Sequence, residues 1–343
     1  KSDGLLAGSL NFNGDLLVSA EQLYPATFTK FSILNQSTTD GLVQVDKPTN
    51  GNPGETLSGL GSLLIESPNI VNNGIIKVPN GRIKLAASSA DSLILGENSL
   101  TSVALGEQNV LFGRTEAAEW VYTIEVGNDF QTVIFDKLPE SFIELDSPSI
   151  DFSNEAVVDI SGSGDLLAYE HIPGPNGSVD ILNPEINPDY FAILPSYNAG
   201  YAVYDVAESP NTLFSIGSEI IITQPVNGLA AGRYTLLPAR YALLPGAYLV
   251  RPEPNITKIN PSTVTILADG SSLVPGRLAI SNSPIAESLP QNYSIVKNAE
   301  LMKFAEYSIT SANSYFNSNL PQDAKRVSFA ADQDLNFDGD ILA

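Results

Sequence analysis

Asp334, Asn336, Asp338 and Asp340 fall at alternating positions in the run Asp334-Leu-Asn336-Phe-Asp338-Gly339-Asp340. Oxygen ligands at that spacing, followed by glycine, suit a hard cation, and Asp332 adds a carboxylate, so calcium is the candidate ligand and no other cofactor is expected. The competing reading is a plain turn. Phe12-Asn13-Gly14-Asp15-Leu16 has the same frame with fewer acids and reads as strand–turn–strand, and no glutamate follows Asp340 to close a calcium loop. Asp165, Glu170 and His171 form a second group beside a Gly/Pro-rich loop. A carboxylate–histidine pair can move protons, and the alternative is a hydrogen-bond network that holds the loop. Glu140, Glu144, Asp146 and Asp151 offer the paired carboxylates of a glycosidase. They equally suit a solvated strand face whose core side is Phe142, Ile143, Leu145 and Ile150. Tyr197, Tyr234, Tyr241 and Tyr248, with Tyr190, Phe191, Tyr201 and Tyr204 nearby, suit a sugar-stacking or partner surface, with packing as the competing use. Gly162-Ser-Gly164 lacks the Lys-Ser/Thr of a phosphate loop.

Composition narrows these choices. The 343 residues contain 39 Asp+Glu against 17 Lys+Arg, a net charge of −22, with no cysteine and one histidine. Thiol chemistry, disulfides, cysteine-ligated metals and multi-histidine metal sites are excluded. Nucleic acid is not expected as a partner, because phosphate contacts need clustered Lys and Arg, and neither is an anionic membrane surface. The acidity does not imply disorder: 43% of residues are hydrophobic and 16% charged, enough for a core. Ser, Thr, Asn and Gly fill many polar positions, as short strands and tight turns require. No apolar run reaches the ~18 residues of a membrane-spanning helix. Lys1-Ser-Asp-Gly opens directly into strand-like sequence, as in a segment of a longer chain.

The elements that would position these residues repeat irregularly. LGSLLIESPNI (60–70), followed by VNNGIIKV and NGRIKLAA, shares its grammar with SFIELDSPSIDF (141–152), followed by NEAVVDIS. Each has apolar alternation, a Ser-Pro corner, a short strand, a turn and another strand. NFNGDLL (11–17) and NFDGDIL (336–342) form another pair. Strand–turn units without a constant period predict an all-β chain built as a parallel β-helix, or solenoid, over residues 1–184. A sandwich of antiparallel hairpins is the alternative, signalled by Asn13-Gly14 and Asn80-Gly81. Residues 185–320 read as an inserted loop-rich, Tyr/Pro-rich β subdomain. Tyr-x-Leu-Leu-Pro occurs there at Tyr234 and Tyr241, with an imperfect copy at Phe191. Proline in each copy excludes a helix interior or a central strand, so two short edge strands are expected. Residues 297–317 predict a short helical stretch, with Leu301, Phe304 and Ala305 on one face and Ser311 as a cap. Strand grammar returns over 321–343.

GDLLVSAEQLYPAT (14–27), SLILGENSLTSVAL (92–105), SGSGDLLAYEHIPGPNGSVDIL (161–182) and GRYTLLPARYALLPGAYLV (232–250) together resemble the filamentous haemagglutinin-like exoproteins of Gram-negative bacteria. The likeness is to the large conserved region toward the C-terminal side of those chains. It implies a right-handed parallel β-helix and export by two-partner secretion, with an outer-membrane transporter as a partner through sequence outside this chain. It further implies a secreted or outer-cell-surface location, and adhesion to glycan or protein of host or neighbouring cells, biofilm formation or fibre-forming self-association. It carries over no catalytic residues. The expectation is therefore a non-enzymatic structural or adhesive segment, with a carbohydrate-active β-helix enzyme, a polysaccharide lyase or hydrolase, as the alternative.

Overall fold

Runs such as Arg82–Ala87 bury every second side chain, the period of a pleated strand. The computed structural model describes residues 6–49, 51, 53–89, 93–126, 129–162, 164–175, 177–197, 199–200, 203, 218–256, 264–304, 307–316 and 325–343. Along the chain come β1 (Ala7–Phe12), β2 (Leu16–Ser19), β3 (Lys30–Asn35), β4 (Leu42–Asp46), β5 (Ser62–Ser67), β6 (Asn69–Asn73), β7 (Ile75–Lys77), β8 (Arg82–Ala87), β9 (Leu93–Leu95) and β10 (Leu100–Ser102). There follow β11 (Asn109–Glu116), β12 (Glu119–Val126), β13 (Asp129–Phe135), β14 (Phe142–Phe152), β15 (Val157–Asp159), β16 (Asp165–His171), β17 (Phe191–Ile193), β18 (Ser218–Ile222), β19 (Gly232–Thr235) and β20 (Leu237–Pro238). A 3-10 helix (Ala239–Leu243) leads to β21 (Tyr248–Pro252), β22 (Thr265–Ile266), β23 (Ser272–Ile280), β24 (Gln291–Lys297), α1 (Asn298–Phe304), β25 (Tyr307–Ser311), α2 (Ala312–Tyr315), β26 (Arg326–Phe337) and β27 (Asp340–Leu342). The chain is all-β, but it is not the single right-handed parallel β-helix that the sequence predicts. It is a parallel half-barrel and an antiparallel near-barrel. They belong to two compact units: Lys1–Phe112, Ile124–Leu166 and Ser311–Ala343 form the first, and Gly113–Thr123 and Leu167–Thr310 the second.

In the first unit a ten-stranded parallel sheet runs β1-β3-β5-β8-β14-β9-β6-β4-β2, with β26 also on β14, and a four-stranded one runs β27-β15-β10-β7. The long β14 joins the two arms of the larger sheet: Phe142–Asp146 pairs with β8, and Ile150–Phe152 pairs with β9. Its pairing with β26 shifts between Ser147 and Ser149, at the Ser-Pro corner that the sequence marks. Inward positions stack in register from strand to strand. Leu10, Ile33, Ile65, Leu85, Leu145 and Phe329 form one such line. Ile33, Ile65, Leu85 and Leu145 are at most 3% exposed, whereas Leu10 at the end of the line is 42% exposed. Burial of apolar side chains in parallel ladders holds this unit together. Asn72 sits fully buried in a neighbouring line, where it donates to Thr101 Oγ1 (3.0 Å) and accepts from the Gly74 N–H (3.0 Å).

The second unit differs because its strands are returned by reversing connections and pair antiparallel. Its sheet runs β19-β18-β23-β24-β21-β17-β20, with β22 on β23, in antiparallel pairs. The core is Ile220, Ile222, Val250, Val274, Tyr293 and Ile295 with their neighbours. The copies of Tyr-x-Leu-Leu-Pro diverge. The first forms strand, and the Phe191 copy pairs with it (Phe191↔Pro238). The second does not form the expected edge strand but enters the 3-10 helix, for which Pro238 is the N-cap. Proline is tolerated there because it precedes the first turn.

The helical stretch expected over 297–317 is also broken. Residues 298–304 form α1, Tyr307–Ser311 is strand, and α2 spans four residues. Ile309 and Thr310 are β-branched and favour the strand. Ser311 does cap, accepting from the Ser314 N–H at 3.3 Å.

One pH dependence belongs to the parallel unit. Lys77 and Asp159 stand in the β7–β10–β15 ladder, and the Lys325 Nζ donates to the Val103 carbonyl at 2.6 Å. Burial, with Lys77 nearby and Asp159 opposing, brings the Lys325 ammonium from 10.5 down to about 8. Between about pH 8 and 10.5 the unfolded chain holds a proton that the folded chain has lost, so stability rises with pH over that interval. Melting temperature measured from pH 7.5 to 10 will climb, and Lys325→Met will flatten the climb. An identical profile in the variant would refute the assignment.

Candidate functional site

The one histidine lies in a cleft crowded with ionisable groups. Its 590 Å³ or so belongs to the antiparallel unit and is lined by Arg114, Glu116, Glu170, His171, Glu185 and Arg240 among others. Three elements build it together with Arg240 from the 3-10 helix. The β11–β12 hairpin, paired Arg114↔Val121 to Glu116↔Glu119, supplies Arg114, Thr115 and Glu116. Its two-residue turn is Ala117-Ala118, both left-handed at φ 49° and 67°, where glycine or asparagine is the usual occupant. The end of β16 supplies Tyr169, Glu170 and His171. The loop after it folds on its own side chains: the Leu182 N–H donates to Asp180 Oδ1 (3.0 Å) and the Glu185 N–H to Asn183 Oδ1 (2.9 Å). Both are Asx turns, which fix the loop without regular pairing.

Beneath the cleft lies an ionic network. The Arg240 Nη2 stands 2.5 Å from Asp180 Oδ2, with the two side chains 8% and 18% exposed. The guanidinium also lies over the Tyr169 ring, 4.4 Å from its centroid. The Tyr307 hydroxyl donates to Asp180, and the Leu182 N–H donates to Tyr307 Oη (3.3 Å). Burial alone would raise the Asp180 carboxyl, but Arg240, Tyr307 and Leu182 outweigh it and hold the carboxyl below its ordinary value. Burial, reinforced by Asp180, pushes the Tyr307 phenol up. The His171 and Tyr307 rings stand 5.5 Å apart.

The sequence-predicted residues separate here. Glu170 and His171 line the cleft; Glu170 accepts from Thr115 Oγ1 at 3.1 Å, and His171 Nε2 lies 3.4 Å from Ser178 Oγ. Asp165, at the start of β16, instead accepts from the Ser311 hydroxyl and the Asn313 N–H. Glu144 and Asp146 share Lys84, at 2.6 and 3.5 Å, on the outward face of the β8–β14 ladder, and that contact raises the Lys84 ammonium. Asp151 accepts from Asn336 Nδ2 at 2.9 Å. The Glu140 carbonyl accepts from Arg82 Nε. Glu144, Asp146 and Asp151 therefore lie on the outward side of β14, and Glu140 precedes the strand.

The calcium candidates do not wrap around a point. Asp334 and Asn336 project along β26, Asp338 lies in the corner after it, and Asp340 opens β27. Backbone bonds from the Asp338 and Asp340 N–H groups to Phe152 and Ala156 make this a strand corner. Among the described residues no group of three or more acidic or histidine side chains is placed to hold a metal ion. The tyrosines lie mostly inside. Tyr241, Tyr248 and Tyr197 are 0%, 5% and 3% exposed, and half-buried Tyr234 donates to the Ala230 carbonyl. These rings fill the core because their Leu-Leu-Pro neighbours must be buried on the same element. Tyr190 is half-buried, and Tyr201 and Tyr204 lie outside the described residues.

Sequence reasoning missed Arg240, Asp180 and Tyr307. A signal existed: Arg240 is the one charged residue between Tyr234 and Val250, and an ion inside so apolar a run demands a buried partner. The partner lies 60 residues away, and no local pattern points to it. Compared with protein-family models, curated proteins and solved structures, the chain matches none.

Proposed function

We propose that the chain is a structural and adhesive component of a secreted or cell-surface exoprotein, acting through a stiff parallel unit and through binding rather than turnover. One observation carries the proposal: the parallel unit's core is open at both ends. Phe12, Leu16 and Val18 at one end, and Val327, Phe329 and Ile341 at the other, pack on the core while only partly buried. Leu10, Leu335 and Phe337, which stand in line with buried rungs, are 42–49% exposed, and an apolar cleft of about 450 Å³ lies against β1. Strand layers with half-covered apolar rungs invite a further layer, from more chain, a partner protein or another copy. A stack that can be extended serves reach and attachment. The haemagglutinin-like motifs support the same reading, with export through an outer-membrane transporter and a glycan or protein of another cell as target.

The test is attachment. The purified chain should bind bacterial or host cells saturably, and it should block attachment of cells that display it. Absence of binding to either cell type, together with monodisperse monomers at high concentration, would refute the proposal.

A second reading, a carbohydrate-active enzyme, is favoured by Glu170 and His171 facing one cleft. Turnover of any member of a broad glycan panel that disappears in Glu170→Gln would replace the adhesive reading with this one.

A further inference from the structure

We infer that the cleft of the antiparallel unit binds a saccharide that is neutral or carries an ammonium group. The inference deepens the binding reading above and rests on it for the kind of partner, but it stands on the cleft's own chemistry. At about 590 Å³ the space falls inside the range of small-ligand sites, ~300–1,000 Å³. Its lining carries two arginines and four carboxylates (Glu116, Glu170, Asp180, Glu185), so it is net negative by two charges with histidine neutral. Both arginines are committed. Arg114 holds Glu116 (2.5 Å) and Thr123 (3.0 Å), while Arg240 holds Asp180 and covers Tyr169. An anionic ligand would meet guanidinium charges already balanced by carboxylates, in a lining that is negative overall.

What the cleft offers is acceptors set among a few donors. Glu170 is half-buried and receives a hydroxyl hydrogen bond from Thr115 on one oxygen, Glu185 is exposed, and His171 and Asn183 are half-buried. A hydroxyl both donates and accepts, so a polyhydroxyl ligand satisfies such a mixed lining, and an ammonium group adds a charge-assisted bond to either glutamate. A purely cationic peptide would use the acids and leave the donors unmatched. The cleft is also preorganised. The Asp180–Arg240–Tyr307 network and the two Asx turns fix the loop before a ligand arrives, which lowers the ordering cost of binding.

The experiment titrates the full chain with four probes: a glucosamine trimer, maltotriose, sialyllactose and trilysine. Binding is read by calorimetry and by saturation-transfer NMR. The expected order is glucosamine trimer tightest, then maltotriose, with sialyllactose not binding and trilysine weaker than the amino sugar. Glu170→Gln/Glu185→Gln should weaken the glucosamine trimer at least tenfold and maltotriose less. Glu185→Gln alone, at an exposed position, should weaken the amino sugar severalfold and guards against misfolding of the double variant. Binding of none of the saccharides, preference for sialyllactose, tighter binding of trilysine, or indifference to both variants would overturn the inference. Cell attachment by the unmodified chain is scored separately, so attachment that survives without saccharide binding refutes the cleft alone, and saccharide binding without attachment refutes the adhesive role alone.

Discussion

Replacing Arg240 by methionine will destabilise the antiparallel unit by about 3 kcal/mol, because it leaves the Asp180 carboxylate without its counter-charge in a largely buried site. The two side chains are 8% and 18% exposed, so little solvent is at hand to take over from the lost guanidinium. The Tyr307 hydroxyl and the Leu182 N–H remain as donors to the network, but neither carries charge. A second change restores much of the loss: in Arg240→Met/Asp180→Asn the buried group is neutral, and the pair should recover to within about 2 kcal/mol of the unmodified protein. The measurement is chemical unfolding of each variant, with the double-mutant cycle giving the coupling. Additive losses would mean that the ion pair does not hold this region. Acid gives an independent check. Asp180 is depressed below 3.8 in the folded chain, so the stabilisation is present above that pH and drains away as pH falls through the folded value. Arg240→Met should lose this acid sensitivity along with its stability.

The Arg240 site also shows where sequence reading stops. Strand and turn were legible because they are local: RIKLAA alternates, Pro68 and Pro148 mark corners, and Ser311 caps where a serine precedes a short helical turn. Glu170 and His171 were legible as chemistry because they are adjacent. Partner choice across the chain was not. Whether a strand pairs parallel or antiparallel depends on the turn geometry that returns it, and Asn-Gly serves both. Asn13-Gly14 and Asn80-Gly81 each read as hairpin turns, yet both are corners between parallel ladders. The likeness of NFNGDLL to NFDGDIL held locally but said nothing of sheet membership. Each is a strand–turn–strand corner, but β2 joins the large sheet and β27 the small one. The tyrosines were misplaced because a repeated Tyr-x-Leu-Leu-Pro says that the rings share an environment, not whether that environment is wet. The acids of 140–151 declared their face by alternation but hid their partner, since Lys84 sits 60 residues and six strands back in the chain.

Gly81→Ala will cost the parallel unit about 3 kcal/mol, at the upper end for adding one carbon to a packed site. A Cβ on Gly81 meets the Gly61 carbonyl oxygen at 2.2 Å, Val78 Cγ1 at 2.5 Å and the Gly61 nitrogen at 3.0 Å. Two of these three atoms are backbone, and neither can rotate aside. The crowding follows from how the ladders stack. Leu60 and Asn80 both adopt left-handed backbone, at φ 59° and 50°, each just before a glycine, so the two corners lie one above the other. The Arg82 N–H then donates to the Gly61 carbonyl (2.9 Å), and the Phe142 N–H and the Ser141 hydroxyl to the Gly81 carbonyl (3.1 and 2.8 Å). Pushing the corners apart to admit a methyl group weakens that chain of bonds between β5, β8 and β14, and opens the core beside Ile83 and Leu85. Gly14→Ala is the control. Gly14 also occupies a corner, at φ +89°, but a Cβ there meets nothing within 4 Å. Its cost is conformational only, about 1 kcal/mol. If denaturant midpoints show the two substitutions to be equivalent, close stacking of corners is not what fixes the spacing of these ladders. If Gly81→Ala costs severalfold more, it is.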